Sequence, residues 1–412
     1  MAITQRSLYK TIEKIGEQHY LTDADLLVAI LDEIIRNERI KIIGGRIWRL
    51  SPKEKKYHLI YEEGKIDPIG KDFRIDLNEY AVFGEVARNR TVLADETNRT
   101  LRAHGIIKYS ATGIGERIAV DGTMYYEYLM AFNTLEVERE LQHLLSIAGQ
   151  AATHLLQRRR SESKTHELES EMAHARDMQK RILPEHEYSF ADYDLYGICL
   201  AEKSVGGDFF NYMKTPGYTD RISVAIGDAA SKGFPAAVQA LFVSGALMMS
   251  AEFEAMMSST LRRLNTIIRA IFPNDKFLTL FYCQLYAGEE GLLIYANAGH
   301  SRPIHFHAKT GEVTELAGTG PVLGLLDDAS FGIANTNIAK NDVLVLYTDG
   351  ITEANNGKEE FGEERLIELI KRCSSSDSKT IASKIIEDVQ KFSTEDGYSD
   401  DKTVVVIKRK DK

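Results

Sequence analysis

Apolar residues recur along this chain at two different periods, and the change from one to the other divides it. Near the start they return every three or four positions: Leu8, Ile12 and Ile15, then Leu26, Leu27, Ile30, Leu31, Ile34 and Ile35. That predicts helix over residues 4–38, with Thr22-Asp23-Ala24-Asp25 as a start signal for its second part. From Ile40 the spacing becomes that of strands. Ile40–Leu50 and Tyr57–Tyr61 flank a turn at Ser51–Lys55 and read as a hairpin. A short helix over 79–90, the stretch Val92–Asp95, and strands at Tyr109–Ala119 and Met124–Phe132 follow. A long helix then starts near Thr134, with Leu141, Leu144, Leu145, Ala148, Ala151, Ala152 and Leu155 on one face.

Residues 156–184 contain no glycine, and Pro184 ends them. Thr165, Leu168, Met172, Ala175, Gln179 and Ile182 step alternately by three and four, a heptad seam of modest apolarity. It suits a parallel two-stranded coil, or else one amphipathic helix lying on its own domain. Beyond Tyr188 strands dominate: Tyr193–Leu200, Arg221–Ile226, Leu278–Tyr286, Leu292–Asn297, Pro303–His307, Val343–Tyr347 and Thr403–Lys408. Many are runs of β-branched and aromatic residues, as in the core of a sandwich. Helices are expected at about 234–250, 254–272, 359–372 and 378–393. The whole is α+β: an N-terminal helix (1–19), a sensor-type unit (20–155), a helical linker (156–184) and a helix-flanked β-sandwich (185–412).

Composition narrows the classes. A net charge of −10 disfavours nucleic acid as the main partner. Arg158-Arg159-Arg160 is the one tight basic run and reads as the solvated side of a helix. The apolar stretch Ala236–Met249 is interrupted by Gln239, Ser244 and Gly245, which argues against a membrane span of about 20 apolar residues. The first residues carry no apolar signal-peptide core, so a cytoplasmic protein without a membrane partner is expected. Cys199, Cys283 and Cys373 are far apart and read as buried, reduced thiols.

The candidate chemistry is acidic. Asp208 follows Gly206-Gly207, Asp228 follows Ile226-Gly227, Asp349 sits in Thr348-Asp349-Gly350, and Asp400-Asp401 precede Lys402-Thr403. Each lies beside small residues at the edge of an apolar strand. One such turn is commonplace; four in one domain suggest a shared site. Carboxylates without His or Cys select hard cations such as Mg²⁺ and Mn²⁺. Two such ions activate a water and polarise a phosphoryl group, so phosphate-ester hydrolysis is the natural reaction class. Lys232-Gly233 does not complete a nucleotide-cradling loop, because no Ser or Thr follows the lysine.

In order along the chain stand Gly206-Gly207-Asp208-Phe209-Phe210, Gly227-Asp228-x-x-Ser231-Lys232-Gly233, Asn297-Ala298-Gly299-His300, Tyr347-Thr348-Asp349-Gly350-x-x-Glu353 and Asp400-Asp401-Lys402-Thr403. Together with Gln179–Pro184 upstream, this set resembles the PPM-type metal-dependent Ser/Thr protein phosphatases, in their SpoIIE-like bacterial branch. The resemblance implies a centre of two Mn²⁺ (or Mg²⁺) ions. Asp228 would bridge them, with the Ala229 carbonyl as a further ligand, Asp349 and Asp400 on one ion, and Asp208 completing the site. Asp401 is an adjacent substitute, Lys232 a phosphate-facing residue and His300 a loop-structuring one. No protein nucleophile is needed. The implied substrate is a phosphorylated protein, of the anti-anti-sigma type found in partner-switching cascades. Alternatives are a catalytically inactive binding module of the same fold and a metal-dependent small-molecule phosphatase. Residues 20–155, with the stretch at 86–95, resemble a GAF domain, which implies a homodimer through its terminal helices and the linker, and an unidentified small ligand.

Overall fold

The computed structural model describes residues 5–37, 42–70, 73–96, 99–103, 108–134, 139–253, 255–273, 275–393 and 400–411. The strand start expected at Ile40 lies outside them. The chain divides into two compact units, residues 1–168 and 169–412.

The first unit begins with α1 (Gln5–Ile15) and α2 (Asp23–Arg36). Thr22 caps α2 by accepting from the Asp25 N–H, while the Asp25 carboxylate accepts from the Thr22 N–H, so the predicted start signal is a reciprocal capping box. Strands β1 (Ile42–Ser51), β2 (Lys56–Gly64), β3 (Arg74–Asp76), β4 (Thr91–Asp95), β5 (Lys108–Val120) and β6 (Thr123–Thr134) form one antiparallel sheet in the order β3-β2-β1-β6-β5-β4. Between β3 and β4 lies α3 (Val82–Asn89), and between β4 and β5 the single turn α4 (Arg99–Ala103). One face of the sheet packs Tyr128, Met130 and Phe132 against α1, α2 and the start of α5 (Arg139–Ile182). The other packs Trp48, Tyr57 and Leu129 against Phe83 and Val86 of α3. The basic run is not a solvated face throughout. Arg159 and Arg160 reach the Asp23 carboxylate at 2.7 and 2.6 Å, and Arg160 also pairs with Glu127 at 2.9 Å. Only Arg158 behaves as expected, paired with Glu162 one turn on. The difference is tertiary: the acidic first turn of α2 lies against this part of α5.

The second unit is a four-layer sandwich. One sheet takes β9 (Phe209–Lys214), β10 (Arg221–Ala229), β11 (Leu278–Tyr286), β12 (Leu292–Ala298) and β15 (Ala334–Asn337) in the order β15-β12-β11-β10-β9. The other takes β7 (Glu187–Phe190), β8 (Tyr193–Leu200), β13 (Ile304–Phe306), β14 (Val313–Glu315), β16 (Val343–Tyr347) and β17 (Lys402–Arg409) in the order β14-β13-β16-β17-β8-β7. Alternation explains why the strands read as continuous apolar runs: both faces are buried. Leu344, Leu346, Val405 and Ile407 meet Val224, Ile226, Phe281 and Cys283 between the sheets. Their neighbours Val343, Val345, Val404 and Val406 face α9 (Gly362–Cys373) and α10 (Ser378–Phe392). On the opposite side Ala225, Leu280 and Tyr282 face α6 (Phe234–Glu252) and α7 (Met257–Ile271).

Helix α6 is longer and more apolar than the sequence suggested, and by composition alone could cross a membrane. Its fully buried Ala236, Val243 and Leu247 instead pack on the sheet. Its interrupting polar residues have partners there: Ser244 Oγ donates to Asn211 Oδ1 at 2.9 Å, and Gln239 Nε2 to the Lys276 carbonyl. The three cysteines are free thiols, Cys283 and Cys373 buried and Cys199 partly so.

Buried Arg409 ties three connections at one end of the sandwich. Its guanidinium donates to Asp192 Oδ2 at 2.6 Å and to the Ile338 and Gly288 carbonyls at 2.7 and 2.6 Å. Arg409→Ala should leave these acceptors unpaired and cost about 3–5 kcal/mol. Urea unfolding of the variant should show a lowered midpoint at unchanged slope.

Candidate metal centre

Antiparallel pairing brings the acidic residues to one end. Strand β9 starts where β10 ends, with Phe209 opposite Gly227, so Asp208 and Asp228 are neighbours across the ladder. In the other sheet β17 starts where β16 ends, with Val404 opposite Tyr347, and the Thr348 N–H donates to the Thr403 carbonyl at 3.0 Å. Asp349 and the Asp400-Asp401 pair therefore share the adjoining edge. Asp228 lies within β10 rather than in the turn after it, because the ladder to β11 continues through Asp228 and Thr279. Asp349 opens a short helix, α8 (Asp349–Thr352), that sequence reading left as a turn.

The two edges are stitched together. Thr348 Oγ1 donates to Asp208 Oδ2 at 2.7 Å and accepts from the Thr403 N–H at 3.0 Å. Asp401 reaches across to the loop before Asp208, accepting from the Glu202 N–H at 2.8 Å and the Gly207 N–H at 2.5 Å. The glycines here are steric requirements. A Cβ on Gly350 would fall 2.0 Å from the Asp401 carbonyl oxygen, and one on Gly206 would strike the Asp401 carboxylate. Gln179, read as a seam position, is buried and clamps this same loop: its Nε2 donates to the Gly206 carbonyl at 2.7 Å, and its Oε1 accepts from the Gly206 N–H at 3.2 Å. Its role is set by the second unit, which the heptad spacing could not reveal.

Electrostatics describe the site from within. Burial pushes the Asp208 carboxyl well above the usual range, and the charges of Asp228 and Asp401 add to this. Asp228 is pushed up to about 7, first by burial and then by Asp349, Asp400 and Asp401, with Asp208 working partly against this. Asp349 is raised by burial and by Asp400, partly relieved by Lys232. The groups thus fall into two halves, Asp208 with Asp401 and Asp349 with Asp400, and Asp228 feels both. The Lys232 Nζ lies 2.9 Å from Asp400 Oδ2 and 3.9 Å from Glu202. The Ala229 carbonyl accepts from the Ser231 N–H at 2.6 Å and would lie 3.1 Å from a Cβ on Gly207. His300 is set apart from the acids: Asn297 accepts from its N–H and donates to its carbonyl, and its Nδ1 bonds Thr279 Oγ1 at 2.8 Å. Burial holds its imidazole down at about 3, as befits a neutral loop-fixing group.

Sequence reasoning gave no role to Thr348, Glu202 or Glu353. Glu353 is raised by burial and by Asp349, which places it at the rim of the site. Its position four residues after Asp349, one helical turn on, was the available signal.

An all-oxygen, strongly anionic set with one lysine fits Mg²⁺ or Mn²⁺ and not a soft metal. The aspartates form no tight three-ligand cage. Among the described residues, the one group of three His, Cys or acidic ligands within 4.8 Å of one another lies elsewhere. Mutual repulsion spreads the aspartates, and Mg²⁺-type ions that keep several waters tolerate such spacing.

Comparison with known proteins gives the class, a metal-dependent phosphatase of the PPM type. Residues 218–410 match the family model of stage II sporulation protein E (SpoIIE), and the second unit carries a SpoIIE-type phosphatase domain of that class. The chain is 26% identical over 244 residues to the phosphoserine phosphatase RsbU of Bacillus subtilis (strain 168), covering 59% of this chain and 71% of that protein. It is 22% identical over 211 residues to the phosphoserine phosphatase RsbP of the same organism, half of each chain. Among solved structures, the SiaA-PP2C domain of Pseudomonas aeruginosa superposes with a TM-score of 0.51 at 18% identity, over 60% of this chain and 98% of that one. That likeness establishes the shared fold.

A raised carboxyl pKa has a defined linkage sign. Between about pH 4, where the unfolded Asp228 carboxyl ionises, and about 7, where the folded one does, the folded metal-free chain holds the extra proton. Its contribution to stability is therefore lost as pH rises through that window. At pH 8 Asp228→Asn should raise metal-free stability by on the order of 3 kcal/mol. The parent chain should gain Tm on adding Mn²⁺ and the same variant should not, in thermal melts with and without Mn²⁺.

Proposed function

We propose that the chain is a sensor-regulated, metal-dependent phosphatase that hydrolyses phosphoserine or phosphothreonine on a partner protein, an anti-anti-sigma-type regulator of a partner-switching cascade. The observation that carries this reading is the convergence of Asp208, Asp228, Asp349, Asp400 and Asp401 from the ends of two sheets, with Asp228 coupled to both halves. The name phosphoserine phosphatase borne by RsbU and RsbP supports the substrate class.

In this reading Asp228, Asp349, Asp400, Asp208 and the Ala229 carbonyl would hold two Mn²⁺ (or Mg²⁺) ions, with Asp228 shared between the two halves of the site. Bound there, the ions would supply an activated water and offset charge on the phosphoryl oxygens. The residues of the chain do the positioning. Asp401 fixes the Gly206–Asp208 loop through its N–H groups, and Thr348 orients Asp208. Lys232, 40% exposed, leaves Asp400 for a substrate phosphate once Asp400 has another cation to neutralise it. The small side chains of Ala229, Ala230 and Gly233 leave room for a phosphoprotein loop.

The first unit acts as a GAF-like sensor in this proposal. Supporting it are the antiparallel six-stranded sheet with α1, α2 and α5 on one face and, beneath α3 on the other, a cavity of about 40 Å³ lined by Trp48, Tyr80, Phe83 and buried Arg46. That space suits a water or two, so a small ligand enters only with side-chain rearrangement. Leu168 is exposed along α5, as a dimeric coil requires of an unpaired seam. A cytoplasmic setting is consistent with all of this.

Two experiments test the proposal. With the full chain and Mn²⁺, phosphate release from a phosphoserine-bearing regulator should exceed release from nucleotides, and Asp349→Asn should reduce it to about 1% or less. Undiminished release in that variant would sink the metal assignment. Separately, Leu168→Lys should convert a dimer to a monomer in sedimentation and change the rate of phosphate release. An unchanged rate in a monomeric variant would remove the linker from regulation.

A further inference from the structure

At the other end of the β16–β17 ladder from the aspartates, three residues that the phosphatase reading leaves unused converge. His305 is on β13, His307 follows it on the same face, and Asp342 immediately precedes β16. Their imidazole rings lie 3.9 Å apart, centre to centre. His305 Nε2 is 2.9 Å from Asp342 Oδ2, and His307 Nδ1 is 3.7 Å from the same oxygen. His305 and Asp342 are buried, while His307 is 30% exposed and opens the cluster to solvent.

We propose that His305, His307 and Asp342 form a binding site for a Zn²⁺-class transition-metal ion, separate from the carboxylate centre. Ligand chemistry and spacing both point there. Two imidazoles and one carboxylate are the donors of borderline-soft metals, unlike the all-oxygen set at the opposite end. Bonds of about 2.0–2.1 Å in a tetrahedron put ligand atoms roughly 3.3 Å apart. The separations of 2.9 and 3.7 Å bracket that value, so an ion enters with shifts of a few tenths of an ångström.

The surroundings hold the ligands in place. Asp342 Oδ1 accepts from the Ala308 N–H at 2.8 Å and Oδ2 from the Ala339 N–H at 3.0 Å, fixing the carboxylate without occupying every lone pair. His307 Nε2 bonds Thr314 Oγ1 at 2.9 Å. In the tautomer whose Nε2–H donates to that hydroxyl, the Nδ1 lone pair faces Asp342 and is available to a cation between them. The partly exposed side of His307 leaves a fourth position for water. Bound there, the ion would join the β13–β14 hairpin to the turn before β16.

The test uses metal-stripped full-length protein in saturating Mg²⁺, which occupies the oxygen-only centre, titrated with Co²⁺ as the spectroscopic stand-in for Zn²⁺. One equivalent should give the strong visible absorption of four-coordinate Co²⁺, and one equivalent of Zn²⁺ should abolish it. His307→Ala should lose the band while keeping its circular dichroism and its Mg²⁺-dependent phosphate release, since His307 lies outside the carboxylate centre. Asp228→Asn should keep the band. No band in the parent chain, or an undiminished one in His307→Ala, overturns the proposal. Loss of the band in Asp228→Asn with its retention in His307→Ala would assign the ion to the carboxylate centre instead, and overturns it equally.

Discussion

The second unit is built around a repulsion. Five carboxylates meet where two sheets end, and Lys232 pairs with one of them, Asp400. In a half-dry site such charges cannot all persist. Burial and mutual charge raise Asp208, Asp228 and Asp349, which favours their protonated forms, and N–H and O–H donors are aimed at Asp208 and Asp401. Protons are a poor long-term answer near neutral pH, because Asp228 is poised to lose its own there. In the proposed reading divalent ions are the better one, and that imbalance would be the source of metal affinity.

Tolerating this strain requires a frame that does not give way. The double-sided burial of β16, β17 and β10 supplies it, each strand filling the space between the sheets with one set of side chains and the space under the helices with the other. Because these strands are locked in register, their ends are fixed relative to one another. Thr348 then spans the gap by a single hydroxyl that serves Asp208 on one side and the Thr403 backbone on the other. Gly350 and Gly206 let the 400–401 turn approach closer than any side chain would permit.

Much of this was legible beforehand, because strands buried on both faces write themselves as apolar runs and glycine-flanked acids mark their ends. The short edge strands β7, β14 and β15 were not, since pairing along one side supports sequences such as Ala334–Asn337 that have no apolar pattern of their own. Strand β9 was hidden for another reason: Phe209–Phe210 were already absorbed into an acidic motif. The fate of Gln179 was invisible because a heptad records spacing and not the loop that a residue will meet. His305-x-His307 was visible as two ligands on one strand face, but nothing in the sequence connects them to Asp342. That link exists only because β13 pairs with β16.

The division of labour between Asp400 and Asp401 follows from the same geometry. Neighbouring residues entering β17 point to opposite sides, so one acid turns back toward the 202–208 loop and the other toward Lys232 and Asp349. Asp401 is consumed by backbone donors whose loss would loosen the loop that presents Asp208. Asp400 accepts from the Asp401 N–H at 2.9 Å and pairs with Lys232, which is itself partly exposed, and a lysine can be exchanged for a metal ion without disturbing the backbone. In the proposed reading the acid that would become a ligand is therefore the one whose cationic partner is partly exposed, and the acid beside it would keep the site from opening during that exchange.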